Sequence, residues 1–144
     1  MGSNALSWSD SQTFCHDIGG NLASIHSEED FNEILSLCHE NHAGWIGLND
    51  INSEGEWDWD DNSVTDYGFI DNSSTKPTSG IYPWLNVSGW GPQPSSKYGE
   101  DDDCVCILEM FGDGWSNDDC SLQYYPICNQ PPKDTFSNPV DNIY

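Results

Sequence analysis

The sequence contains no arginine and only three lysines, Lys76, Lys97 and Lys133, against 25 acidic residues, so its formal net charge is −22. Nucleic acids and anionic membrane surfaces are bound through clustered basic side chains. A chain with this balance cannot present such a face, and we exclude both as partners. The composition suits cations, mineral surfaces, neutral polar ligands or a salty medium instead.

Long apolar runs are also lacking, so we expect no membrane insertion. The start, residues 1–3, lacks the charged, apolar and small-residue zones of a signal peptide, and we expect that a natural leader has been removed. The length of 144 residues favours one domain, over residues 1–129. Residues 130–144 are polar and proline-bearing, and we expect a tail or linker there. The sequence predicts no particular oligomeric state.

Combinations of residues typical of enzymes are scarce as well. The four histidines, His16, His26, His39 and His42, lie on or beside predicted helices, away from the loops that carry the carboxylates. Neither a Ser/His/Asp order nor a phosphate-cradling glycine loop occurs. A zinc site at Cys38, His39 and His42 is an alternative, but histidines at a helix end are more often solvent-exposed. We therefore expect a binding protein and not an enzyme.

Cysteine and tryptophan, in contrast, are abundant, with six and seven residues respectively. An even number of cysteines in a small domain favours disulfides and hence a secreted protein, although spacing alone does not choose the pairing. The triplets beginning at Asn72 and Asn86 have the form of N-glycosylation acceptors, which weakly supports a secreted glycoprotein.

The pattern of apolar residues predicts two helices followed by strands. The first helical stretch opens at Ser7, and Ser27 caps the second. The predicted strands cover residues 21–25, 44–48, 56–59, 104–108, 114–115 and 124–128. Residues 60–97 show little periodicity, and long ordered loops of this kind tend to be functional. The order of elements indicates an α+β fold with mainly antiparallel pairing.

Several ordered motifs resemble those of the C-type lectin-like domain. They are Trp8–Cys15 with the following Gly19–Ile25, then Trp45–Leu48, Gly99–Val105, Gly114–Cys120 and Tyr125–Cys128. The resemblance covers residues 6 to 129 and implies the C-type lectin fold: two helices, mainly antiparallel sheets, a long calcium-binding loop region and disulfides. One departure is that few residues precede the first helix, where the family usually has a strand. Either that strand was trimmed or the C-terminal tail takes its place.

The resemblance also implies a disulfide pattern. The family pairs its first-helix cysteine with its last, here Cys15 with Cys128, and pairs two others, here Cys104 with Cys120. Cys38 and Cys106 are left, and we expect a third bridge between them. The alternative is two buried thiols.

An auxiliary calcium site is implied by two acidic groups. The family uses an Asp and a Glu after the Trp45–Leu48 strand, which correspond to Asp50 and Glu54, and two acids before a cysteine, which correspond to Asp102 and Asp103. Clustered carboxylates with no basic partner repel one another unless a divalent ion offsets their charge. We therefore expect Ca²⁺ at these four residues. The alternative is a solvated acidic face.

The principal sugar site of the family is matched less well. Gln93-Pro94-Ser95 resembles the Gln-Pro-Asp of galactose-binding members, with Ser95 a weaker ligand than Asp, and the family has a cis peptide before the proline. After Trp115, strict spacing makes Ser116 and Asn117 the ligands, whereas a one-residue bulge makes them Asn117 and Asp118. We favour Asn117 and Asp118 on their chemistry. Asp102 is expected to be shared between the two calcium sites.

These correspondences imply a calcium-dependent module that binds glycans or glycoconjugates, with galactose slightly favoured. Trp90 or Trp84 could pack on the apolar face of the sugar, and the alternative for each is packing within the protein. Because the Gln93 and Trp115 motifs are imperfect, two other functions stay open. One is adsorption to mineral or ice surfaces, and the other is binding of a protein partner without sugar binding.

Overall fold

The computed structural model describes residues 4–38, 43–81, 83–87, 91–94, 103–108 and 114–129. Its helices are α1 (Trp8–Asp17) and α2 (Glu28–Leu35), and a short 3-10 turn covers Ile70–Asn72. The strands are β1 (Gly44–Asn49), β2 (Asp58–Trp59), β3 (Asn86–Val87), β4 (Gly91–Pro92), β5 (Cys104–Leu108), β6 (Gly114–Asp118) and β7 (Tyr125–Pro126). The expected α+β class is confirmed. Neither helix has the length and apolar character that crossing a bilayer requires.

Both helices begin after a serine cap, of which the one at Ser27 was predicted. The hydroxyl of Ser7 accepts a hydrogen bond from the Asp10 amide at 3.3 Å, and that of Ser27 accepts one from the Asp30 amide at 3.1 Å. These bonds satisfy amides that have no partner within the helix. α1 is fixed to the sheet by Trp8, whose indole N–H donates to the Ile46 carbonyl at 2.9 Å.

A five-stranded sheet forms the centre of the domain. Its strands follow the order β2-β1-β5-β6, with β7 pairing parallel to β1, and β3 and β4 form a separate two-stranded sheet. β1 and β5 run antiparallel, and their register shifts between Trp45 and Asn49 so that Asn49 lies opposite Cys104. The end of β1 therefore lies beside the start of β5, which is where the two predicted acidic groups occur.

The sheet separates two buried clusters. Val105, Ile107 and Trp115 belong to one cluster, and Cys104, Cys106 and Trp45 belong to the other. The first contains a group of edge-to-face tryptophan contacts, with ring centroids 5.6 Å apart for Trp59–Trp115 and 5.3 Å apart for Trp84–Trp115. Trp84 is only 2% exposed and therefore packs in the core, whereas Trp90 lies outside the described residues.

The first half of the chain departs from prediction in one respect. Residues 21–25, expected as a strand, are extended but make only isolated pairings: Leu22 bridges to Cys128, and Ala23 donates to the Ile127 carbonyl at 2.8 Å. Near the N-terminus, Leu6 forms a similar bridge with Tyr124. Both segments lie against strands that are themselves short, so no long ladder forms.

Two of the three expected disulfides are confirmed. Cys15 is bonded to Cys128 and Cys104 to Cys120. The third expectation was wrong, since Cys38 and Cys106 are buried thiols with no bond between them. Cys38 packs with the Val105 cluster, whereas Cys106 faces the opposite side of β5 and donates to the Ser116 carbonyl at 3.4 Å. The two thiols thus belong to different buried clusters.

Candidate metal and ligand site

Three acidic side chains come together where β1 ends and β5 begins. Asp50 follows β1 directly, Glu54 lies in the following turn, and Asp103 precedes β5. The Asp50 amide donates to the Asp103 carbonyl at 2.9 Å, which holds the two segments together. Each of the three residues offers a carboxylate oxygen, and these oxygens all lie within 4.8 Å of one another. Asp102, the fourth predicted ligand, lies outside the described residues.

Asp50 is buried in a way that is unfavourable for an isolated carboxylate. It is 4% exposed, and its Oδ2 accepts a hydrogen bond from the Gly55 amide at 2.8 Å. Its Oδ1 and the Oδ1 of Asp103 are buried with no hydrogen-bond partner among the described residues. The pKa of Asp50 is raised to about 7, first by burial and then by the neighbouring Asp103 and Glu54, against the lowering effect of the Gly55 amide. Oxygen atoms arranged in this way fit a hard cation.

No basic side chain offsets this charge in the described part of the chain. The ion pairs found there join His16 to Asp60 and His26 to Asp66, away from the acidic group. Ca²⁺ takes about six to eight oxygen ligands, which carboxylates, carbonyls and waters supply. The residues present therefore fit a calcium ion, with Asp50, Glu54 and Asp103 as the described ligands.

The predicted sugar-site loop begins directly after β4. The peptide bond between Gln93 and Pro94 is cis. Gln93 is held by its backbone, because its N–H donates to Leu85 at 2.7 Å and its carbonyl accepts from Gly80 at 2.9 Å. Its side chain is 5% exposed, and Oε1 is buried with no hydrogen-bond partner among the described residues. Ser95, the other predicted ligand of this loop, lies outside them.

β6 carries the remaining predicted ligands without the expected bulge. It pairs with β5 in continuous register, so that Asn117 lies opposite Val105 and Asp118 opposite Cys104. Because neighbouring residues of a strand point to opposite faces, Asn117 shares a face with Trp115 and Asp118 does not. The Asp118 carboxylate instead accepts a hydrogen bond from the Tyr124 hydroxyl at 2.6 Å. A bulge would have needed an extra residue, and the paired strands have equal lengths.

A network around His26 was missed from the sequence. One ring nitrogen contacts the Asp66 carboxylate at 2.7 Å, and the other contacts the hydroxyl of Ser63 at 3.0 Å and that of Ser24 at 3.2 Å. Both hydroxyls donate to Asp61. Burial opposes ionisation of Asp66, but the bond to His26 and the Tyr67 amide outweigh it and lower the pKa of Asp66.

This network joins segments that are far apart in the sequence, and only the Ser24–His26 spacing is local. Its Ser/His/Asp composition resembles that of a hydrolase, yet both serine protons are directed to Asp61 and not to the imidazole. We interpret it as a structural tie between residues 22–26 and the loop that follows β2.

Comparison with known proteins adds independent observations. The sequence model of the Lectin C-type domain matches residues 4–130. CD209 antigen from Nomascus concolor is 31% identical over 131 residues, which covers 90% of this chain and 27% of that protein. The chain therefore spans about a quarter of the length of the curated relatives it matches.

Two solved structures have the same fold and a similar sequence identity to this chain. The carbohydrate-recognition domain of the mouse scavenger receptor C-type lectin is 26% identical, with a TM-score of 0.63, and the match covers 86% of this chain and 82% of that one. The herring type II antifreeze protein is 25% identical, with a TM-score of 0.66, and the match covers 90% of this chain and 87% of that one.

Proposed function

The chain belongs to the C-type lectin domain family, and from that premise we propose that it is a calcium-dependent carbohydrate-binding module with a preference for galactose-type ligands. Domains of this family are in general binding proteins and not enzymes. The mouse scavenger receptor domain is named for carbohydrate recognition. The activity of a longer protein containing this domain would be a further proposal.

The observation that carries the proposal is a set of buried oxygen atoms with no hydrogen-bond partner. They are Oδ1 of Asp50, Oδ1 of Asp103 and Oε1 of Gln93. Leaving such an atom unpaired costs about 1–3 kcal/mol, and more when the group is charged. All three were predicted as metal ligands from the sequence. Hard cations in the auxiliary site and in the sugar site would satisfy them, and the ion in the sugar site would supply coordination sites for vicinal sugar hydroxyls.

The galactose preference rests on the type of residue at position 93. Gln93 corresponds to the glutamine of the galactose-type motif, and its backbone is held in place by hydrogen bonds to Leu85 and Gly80. Asn117 and Asp118 stay candidate ligands, and the face that Asn117 shares with Trp115 favours Asn117. Ser95, Asp102 and Trp90 complete the proposed site, and they lie outside the described residues.

A secreted location is part of the same proposal. The two disulfides join α1 to Cys128, just after β7, and β5 to the turn after β6. Bonds of this kind persist in oxidising compartments and are rare in the cytosol. They support an extracellular site of action, where free calcium is available.

Thermal melting with and without calcium tests the metal site. Calcium at about 100 times its dissociation constant should stabilise the domain by ~2.7 kcal/mol, because it binds the folded site and not the unfolded chain. Asp103→Asn should remove this response, whereas Asp17→Asn, on the exposed end of α1, should keep it. An unchanged melt for both variants and for the wild type would exclude the metal site.

A glycan array then tests the sugar ligand. Signals for galactosides that a chelator abolishes would support the proposal. A second candidate function is adsorption to mineral or ice surfaces, which the likeness to the herring antifreeze protein and the net charge of −22 favour. Calcium binding without any glycan signal, together with ice shaping or adsorption to calcite, would replace the lectin proposal with that one.

A further inference from the structure

We propose that Asn86 carries an N-linked glycan that flanks the Gln93–Pro94 loop and restricts the size of the ligands that reach it. The restriction rests on the proposed lectin function, whereas the modification rests only on passage through a secretory compartment. Asn86-Val87-Ser88 has the acceptor form, with a residue other than proline in the middle.

The modification is a transfer from a lipid-linked oligosaccharide diphosphate. The side-chain amide nitrogen of Asn86 attacks the anomeric carbon of the first sugar. The new C–N bond replaces the bond from that carbon to the diphosphate oxygen. The nitrogen loses one proton to a base of the transferase, and the lipid diphosphate leaves. No electrons are gained or lost overall.

The position of Asn86 in the fold allows a bulky group to be attached. Asn86 is exposed, while its neighbours Trp84 and Leu85 are buried at 2% and 6% exposure. It is the first residue of β3, at the edge of a sheet with only two strands. A glycan there would extend into solvent without displacing any core side chain.

The same position places the glycan beside the ligand loop. Asn86 is the register partner of Pro92, the residue before Gln93. The residue before Asn86, Leu85, accepts the backbone hydrogen bond of Gln93 at 2.7 Å. Asn86 is thus the chain neighbour of Leu85, which binds Gln93, and its partner on the other strand is the chain neighbour of Gln93 itself. Asn86 is exposed whereas Leu85 and Gln93 are buried, so the glycan would leave the opposite face of this small sheet and stand beside the loop. A branched glycan fixed there would hinder the approach of large ligands more than that of small ones.

The second acceptor triplet, Asn72-Ser73-Ser74, provides an internal comparison. Asn72 is also exposed, and it ends the 3-10 turn with a φ of +56°. Its segment is tied to Trp57, whose amide donates to the Ser74 carbonyl at 3.0 Å, and to Thr65. The described hydrogen bonds do not join it to the β3–β4 sheet. A glycan on Asn72 should therefore leave ligand access unchanged.

The experiment uses the chain secreted from a eukaryotic cell line behind a cleavable leader. Enzymatic release of N-glycans in heavy-oxygen water converts each glycosylated asparagine to labelled aspartate, which mass spectrometry locates. Binding of a galactosylated serum glycoprotein and of free methyl galactoside is then measured for the wild type, Asn86→Gln, Ser88→Ala and Asn72→Gln. Ser88→Ala removes the acceptor triplet and keeps Asn86 itself.

We expect a label at Asn86, and tighter binding of the glycoprotein by about 3- to 10-fold in both Asn86→Gln and Ser88→Ala, with methyl galactoside binding unchanged. Absence of the label from the secreted, folded protein would overturn the modification. A label at Asn86 with unchanged glycoprotein binding in both variants would overturn the restriction of ligand size. Failure of every form to bind any glycan, with Asn86 still labelled, would reject the lectin function and the restriction but not the modification.

Discussion

The acidic group at the β1–β5 junction and the Gln93 loop both carry candidate metal ligands, but they differ in how firmly the surrounding strands hold them. Asp50 and Asp103 end strands of six and five residues that are buried along their whole length. Gln93 follows a sheet of two strands with two residues each. Both regions contain buried oxygen atoms that have no hydrogen-bond partner among the residues the structure describes. Only the first is anchored in the central sheet.

This difference in support by the central sheet indicates that the two regions have different functions. A site at the ends of two central strands is held in place by the core, so its geometry is fixed before any ion binds. A site on a short two-stranded sheet depends on few hydrogen bonds, and the residues around it can vary without loss of the fold. We infer that the β1–β5 junction determines cation affinity and that the Gln93 loop determines ligand preference.

The largest expected difference between the two regions is in their response to pH. The pKa of Asp50 is about 7 in the folded protein against an ordinary value of 3.8. The folded state therefore holds a proton that the unfolded chain has released, and the calcium-free domain loses stability as the pH rises from about 4 to 7. Each unit of pKa shift corresponds to ~1.4 kcal/mol, so the loss is at most ~4 kcal/mol. Denaturant unfolding at a series of pH values measures it.

Two variants separate the regions in that measurement. Asp50→Asn should abolish the contribution of this group to the pH dependence and should stabilise the calcium-free domain at pH 8. Gln93→Ala should leave the pH dependence as it is, because an amide does not titrate. Identical pH profiles for Asp50→Asn and the wild type would contradict the assignment. With calcium bound the sign reverses, since protons then compete with the ion.

A substitution in the Gln93 loop should change the ligand preference and leave the calcium response of the acidic group unchanged. Gln93→Glu replaces the amide of the galactose-type motif with a carboxylate of the same length. We expect the ratio of galactoside to mannoside affinity to fall by about tenfold, or ~1.4 kcal/mol. The calcium-induced rise in melting temperature from the β1–β5 junction should persist. Competition assays with the two methyl glycosides measure the ratio, and an unchanged ratio would remove position 93 as its determinant.

The sequence predicted features whose determinants are local. Asp50 and Glu54 directly follow an apolar strand, and the serine caps directly precede their helices, so short patterns located them. The network around His26 could not be found in this way, because Asp61, Ser63 and Asp66 lie about one quarter of the chain away from it.

Two predictions were wrong because they did not take into account the direction in which strand side chains point. The proposed Cys38–Cys106 bridge and the proposed bulge after Trp115 both assumed that residue type determines the partner. In the fold, strand alternation directs Cys106 away from the cluster that contains Cys38. The same alternation directs Asp118 to the opposite face from Asn117. Which face a strand residue takes depends on its register with a distant strand, and short motifs do not contain that register.

The smallest expected effect sharpens the assignment of ligands within β6. Asp118→Asn keeps an oxygen that accepts the Tyr124 hydroxyl proton but removes the charge, which should cost about 1 kcal/mol of stability. Burial raises the pKa of Tyr124, so its hydroxyl stays a donor in both proteins. Calcium-dependent sugar binding should persist in Asp118→Asn and be lost in Asn117→Ala, since Asn117 shares the Trp115 face. If Asp118→Asn loses sugar binding as completely as Asn117→Ala, Asp118 must leave Tyr124 when the ligand binds.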